Sequence, residues 1–131
     1  LLRKAEGKLI APPALPDWDE SQVNDSPEQV LIAHDWDEIR RVMWDFVGIV
    51  RTEERLKRAL KRVLVIREEI EDFYAQYYLN TDFIELRNLA LVAELIIRSA
   101  LERKESRGLH YVLDYPQQLS QAKPTILTPT R

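Results

Sequence analysis

The stretch TEERLKRALKRVLVIREEIEDFYAQYYL, residues 52–79, decides the fold. Leu56, Leu60, Val63, Ile70, Tyr74 and Tyr77 share one side of a 3.6-residue period, and no Gly or Pro interrupts them. Thr52 is a good N-cap, so the stretch predicts a helix from Glu53 to Leu79, about 40 Å long at 1.5 Å per residue. A helix with one apolar side needs partners, and the flanking sequence supplies two.

Upstream, Trp36, Ile39, Met43, Phe46 and Val50 recur at alternating steps of three and four, and Asp35 can cap the amide of Glu38. This predicts a helix over 35–47, stopping before Gly48. Downstream, Leu86, Leu89, Ala93, Ile96 and Ala100 repeat the spacing, with Asp82 and Glu85 as a capping box, and predict a helix over 82–106. Short connections make neighbouring helices antiparallel. The expected fold is therefore all-α, an up-down-up three-helix bundle over residues 26–116 with extended N-terminal and C-terminal segments.

Residues 1–25, with Pro12, Pro13 and Pro16, read as a linker or strap, and residues 117–131 as an extended tail. Ser26-Pro27-Glu28-Gln29 is a start signal for a short helical turn, whereas Val30-Leu31-Ile32 fits either period. Tyr111-Val112-Leu113 reads as a short strand or an extended strap. A first helix of only about 20 Å covers the near half of the longer pair. The far half, with Ile70, Phe73, Tyr74, Tyr77, Phe83 and Leu86, is then expected to need another cover: residues 1–34, a partner domain, or a second copy by self-association.

Composition narrows the function classes. The chain has 131 residues, 45% apolar and 31% charged, which describes one soluble globular domain. No apolar run approaches the roughly 20 residues of a membrane helix, so no membrane partner is expected. The absence of Cys removes disulfides, thiolate metal sites and thiol nucleophiles, and fits a cytoplasmic location; Leu1 opens the chain without a targeting signal. A net charge of −3 gives no general reason to expect nucleic acid. Glycine occurs only at 7, 48 and 108, which excludes the dinucleotide and P-loop fingerprints. His34 and His110 lie far apart, and no zinc or iron set can be composed from them, so no metal is expected.

Charged clusters on the helices read mainly as solvated faces. Arg55, Lys57, Arg58, Lys61 and Arg62 open the second helix, with Glu53 to Lys57 and Glu54 to Arg58 as i,i+4 pairs; a phosphate-binding patch is the alternative. Glu68-Glu69 and Glu102 with Glu105 are expected to solvate exposed faces. The stretch ERKESRGLHYVLDYP, residues 102–116, is denser. Arg103, Lys104 and Arg107 suit a last helical turn and Gly108 a left-handed C′ position. Those rules leave His110, Tyr111, Asp114 and Tyr115 unexplained, a run of polar aromatics typical of a surface that meets something.

Four blocks carry a family resemblance: MWDFVGIVRT at 43–52, ELRNL at 85–89, VAEL at 92–95 and RKESRGLH with DYP across 103–116. They resemble the C-terminal helical domain of the succinate dehydrogenase and fumarate reductase flavoprotein family, over roughly residues 26–130. Leu109 in SRGLH, the following LDYP and ELRNL resemble its L-aspartate-oxidising branch. That resemblance implies an FAD enzyme converting L-aspartate to iminoaspartate for quinolinate synthase in NAD biosynthesis, with oxygen or fumarate taking the electrons. The FAD-binding and capping domains, which carry the catalytic residues, have no counterpart in residues 1–131. The resemblance thus assigns no catalytic or cofactor-binding residue to this chain and places FAD in the parent enzyme. It implies a docking role, with Arg103, Arg107, His110, Tyr111, Asp114 and Tyr115 as contact candidates. The alternatives are the same domain of a succinate dehydrogenase flavoprotein and a free-standing helical interaction module using the basic start of the second helix.

Overall fold

A computed structural model describes residues 14, 16–17, 29–74, 76–77 and 80–129. The expected strap over 1–25 and the start signal at 26–28 therefore lie almost wholly outside the described residues. Three helices dominate, α1 (Gln29–Phe46), α2 (Glu53–Tyr74) and α3 (Thr81–Glu102), with two short strands, β1 (Val50–Arg51) and β2 (Tyr111–Val112). The fold is mostly helical, as expected, and each helix contacts the other two.

Helix α1 begins six residues earlier than the sequence suggested. Val30-Leu31-Ile32 is helical, because Ile32, Trp36 and Ile39 continue the 4-3 spacing of the stripe below them. Asp35 consequently sits inside the helix and caps nothing; burial pushes its carboxyl above the ordinary range, and nearby Glu69 adds to the shift. The added turns carry α1 to about 27 Å. They also correct the expectation of a half-covered bundle: Ile70, Phe83 and Leu86 are buried, with Ile32 in the same cluster.

Thr52 caps α2 as expected, its Oγ1 accepting from Arg55 N at 3.2 Å. The helix stops at Tyr74 instead of Leu79. Gln76 N and Tyr77 N both donate to Phe73 O, closing a turn there, and Tyr74 stacks on Phe83 with centroids 6.1 Å apart while Arg87 lies over its ring. Asn80, rather than Asp82, caps α3: its Oδ1 accepts from Phe83 N at 2.8 Å.

The core is apolar and continuous, centred on Ile39, Leu56, Val63, Ile66, Leu86 and Ile97. Burying a Leu or Ile fully contributes roughly 1.5–3 kcal/mol relative to leaving it exposed. On α3 the buried residue is Ile97, while Ile96, placed in the stripe from the sequence, is 43% exposed. Ala90, Ala93 and Ala100 sit between the larger residues and let the helices approach.

The chain leaves helical geometry at Arg103, well before Ser106, and Arg103 itself is extended. Strands β1 and β2 pair in parallel, Val50 opposite Tyr111 and Arg51 opposite Val112. Tyr111 N donates to Ile49 O at 3.3 Å and Leu113 N to Arg51 O at 2.9 Å, fastening the post-helical segment to the α1–α2 connection. Gly108 does adopt a left-handed conformation, φ +60°, but in a tight turn rather than as a helix cap: Arg107 and His110 exchange both backbone hydrogen bonds across it.

Candidate functional site

The polar end of the molecule is organised by Glu105. Its side chain is 2% exposed, against the expectation that it would solvate a helix face. One carboxylate oxygen accepts from Arg103 Nη1 at 2.9 Å; the other accepts from Arg107 Nε and from Leu119 N, both at 3.0 Å. Arg107 holds its carboxyl below the ordinary range, helped by the Leu119 amide and by Arg103. Both arginines then reach the tail, Arg103 to Lys123 O at 3.1 Å and Arg107 to Leu119 O at 2.9 Å. The buried carboxylate thus ties residues 117–123 to the bundle.

Ser106, also buried, closes the loop from the other side. Its Oγ accepts from Val112 N at 2.9 Å and lies 2.8 Å from Tyr115 O, which its hydroxyl can donate to. Asp114 Oδ2 accepts from Glu53 N at 2.7 Å, satisfying a free amide at the start of α2. Glu53 in turn accepts from Lys104, Lys57 and the Tyr115 hydroxyl, in that order of effect, and its carboxyl drops to about 2. Lys104 also lies over the Tyr115 ring at 5.1 Å.

His110 is fixed at both ring nitrogens. Arg51 can only donate, so Nδ1, 2.7 Å from Arg51 Nη1, is the acceptor; Nε2 then carries the proton and donates to Arg103 O at 3.2 Å. The ring is neutral, and burial, followed by the charges of Arg51 and Arg103, pushes its pKa down. Arg51, Arg103 and His110 stand at one end of an open groove of about 520 Å³. Its floor is the outward side of α3, where Val92, Leu95 and Ile96 are all exposed.

All six residues singled out in the sequence thus meet at one end of the bundle, but most of their polar groups face inward. Arg103, Arg107, Asp114 and Tyr115 bind this chain's own groups, while Tyr111 stays exposed beside Leu109 and Leu113. Sequence reasoning missed Arg51 and Glu105. The alternation Arg103-x-Glu105-x-Arg107 was the available signal: period two belongs to extended chain, where the three side chains share a side. On α1, His34, Asp35 and Glu38 bring ligand atoms within 4.8 Å of one another, but Glu38 is held by Arg62 and His34 is largely exposed. Arg62 and Lys57 are paired, and Arg58 lies over Phe46, so part of the basic start of α2 is engaged inside the molecule. No helix among the described residues is long and apolar enough to cross a membrane.

The described residues form a helical domain with a buried core and exposed apolar residues along the outward side of α3. Comparison with protein families gives its class: residues 36–125 match the fumarate reductase flavoprotein C-terminal model, and the chain belongs to that family. It is 64% identical to L-aspartate oxidase of Pseudomonas aeruginosa over 129 residues, covering 98% of this chain and 24% of that protein. L-aspartate oxidase of Yersinia pestis is 58% identical over 115 residues, 88% of this chain and 22% of that protein. The chloroplastic L-aspartate oxidase of rice is 39% identical over 99 residues. The chain spans about a quarter of the length of the two bacterial relatives.

Proposed function

We propose that these residues form the C-terminal domain of an FAD-dependent L-aspartate oxidase, an oxidoreductase acting on the CH–NH2 group of L-aspartate to give iminoaspartate in NAD biosynthesis. In this reading the domain is not itself catalytic and binds no flavin; FAD belongs to the rest of the parent polypeptide. Its work is to dock on the FAD-binding and capping domains and hold their geometry. The cytoplasm and a pathway relation to quinolinate synthase follow from the same reading.

One observation carries the proposal. Helix α3 is apolar on two sides: Phe83, Leu86, Ala90, Ala93 and Ile97 face the core, and Leu91, Val92, Leu95 and Ile96 face out. A cluster of large apolar residues exposed along one helix marks a contact surface, which calls for a second cover. Arg103, Arg107, Asp114 and Tyr115 shape the adjoining end from within, and His110 and Tyr111 present it. The pairs Glu38–Arg62 and Phe46–Arg58, then Arg67–Glu94 and Glu71–Arg87, step in opposite directions along their helices, which supports the antiparallel up-down-up course.

Leu95→Asp in the full-length polypeptide tests the docking role. It removes no core contact, yet a charge on the docked face is expected to weaken FAD retention and lower the thermal midpoint. Unchanged FAD affinity and an unchanged midpoint would count against docking through α3. Self-association through the same face is the competing use, read from the mass of the full-length protein in solution.

A further inference from the structure

The groove at the end of α3 has an unbalanced cation. Arg103 and Arg107 share Glu105, and Lys104 holds Glu53. Arg51 is half-buried and has no carboxylate partner among the described residues. Its Nε donates to Gly48 O at 2.6 Å and Val47 O at 3.3 Å, and Nη1 meets a neutral His110. Both Nη2 hydrogens are left without a protein acceptor among the described residues, and a guanidinium presents them in a geometry suited to a carboxylate. Burial already disfavours its charge.

We infer that Arg51 anchors a carboxylate side chain presented by the part of the parent polypeptide outside residues 1–131, whose neighbouring apolar residues sit on Val92, Leu95 and Ile96. This rests on the docking role proposed above and names the chemistry of the docked segment. Two features favour that occupant. The groove is cationic at one end and apolar along its floor, so a free inorganic anion would fill only the first and leave the floor wet. The two bacterial relatives are about four times as long as the chain, which supplies a tethered source for the segment. Tethering removes most of the association cost, so one charge-assisted contact with modest apolar burial suffices.

The test is a zero-length carbodiimide reaction on the full-length polypeptide carrying Arg51→Lys, followed by mass spectrometry of crosslinked peptides. Lysine keeps the charge and the stem, and the Lys104–Glu53 contact in the same sample reports that the reagent works. The expected product joins position 51 to an Asp or Glu outside residues 1–131. A Lys104–Glu53 product with none at position 51, or with position 51 joined only to a carboxylate within residues 1–131, overturns the inference. Leu95→Asp separates the two levels. Flavin loss there beside a null result at position 51 removes the carboxylate anchor and leaves docking standing, whereas null results in both remove both.

Discussion

The helical core and the polar end are held together by different physics. Between the helices, stability comes from many interchangeable apolar contacts: Ile39, Leu56, Val63, Ile66, Leu86 and Ile97 each touch several neighbours, and none is indispensable to direction. From Arg103 onward Val112 is the one buried apolar side chain among the described residues, and the backbone follows a few hydrogen bonds aimed at Glu105 and Ser106. A core tolerates graded loss. A hub fails locally, releasing whatever it alone was holding.

The largest effect should come from the core. Leu86→Ala is expected to cost about 2–5 kcal/mol, read as a lower midpoint in denaturant unfolding with an unchanged slope. A loss below about 1 kcal/mol would mean that α3 is packed far more loosely than its burial shows. Glu105→Gln should be milder but differently distributed. The neutral amide keeps the shape but loses the carboxylate charge and one of the two acceptor oxygens that serve Arg103, Arg107 and Leu119, so amide exchange should quicken at Leu119 and through the tail while the helices stay protected. Uniform acceleration across all three helices would erase the distinction between the regions.

Acid should affect the polar end in two steps. The folded pKa of His110 is depressed below its ordinary 6.5, so its contribution is complete above that value and is lost as pH falls below it. Glu53 is depressed from 4.5 to about 2, so its contribution is complete above 4.5 and fades as pH falls towards 2. Resonances of Tyr111 and Val112 should report the first step and those of Tyr115 the second, with the core of α2 unchanged through the first. A His110 ring that titrates at or above 6.5 would contradict the neutral, doubly bonded ring.

The core was largely legible because period 3.6 survives in a single sequence. Helix existence, the Thr52 cap and the burial of Ile39, Leu56, Val63, Ile70, Leu86, Ala93 and Ala100 could be read from spacing. Buried Val42, Ala59, Ile66 and Ala90 were not in the predicted stripes, and Val50, which was, is exposed on β1. The errors were of phase and boundary: Ile96 and Ile97 are both apolar, so spacing alone could not choose between them. Asp35 looks like a cap but lies inside a helix that Val30-Leu31-Ile32 had already begun. The polar end was legible only as a dense cluster. What Glu105 does depends on Leu119, fourteen residues away, and on Arg103 leaving the helix, neither of which a local rule supplies. The parallel pairing of Val50-Arg51 with Tyr111-Val112 crosses two whole helices and leaves no trace in either segment.

The central claim is that the outward face of α3 is covered in the intact parent polypeptide. Hydroxyl-radical footprinting of that polypeptide tests it directly, with Trp44, 86% exposed on α1, as the internal reference. After correction for intrinsic reactivity, Leu91, Leu95 and Ile96 should be strongly protected while Trp44 is modified freely. Modification of the α3 residues in proportion to their exposure in this structure would show that the face is open and contradict the account.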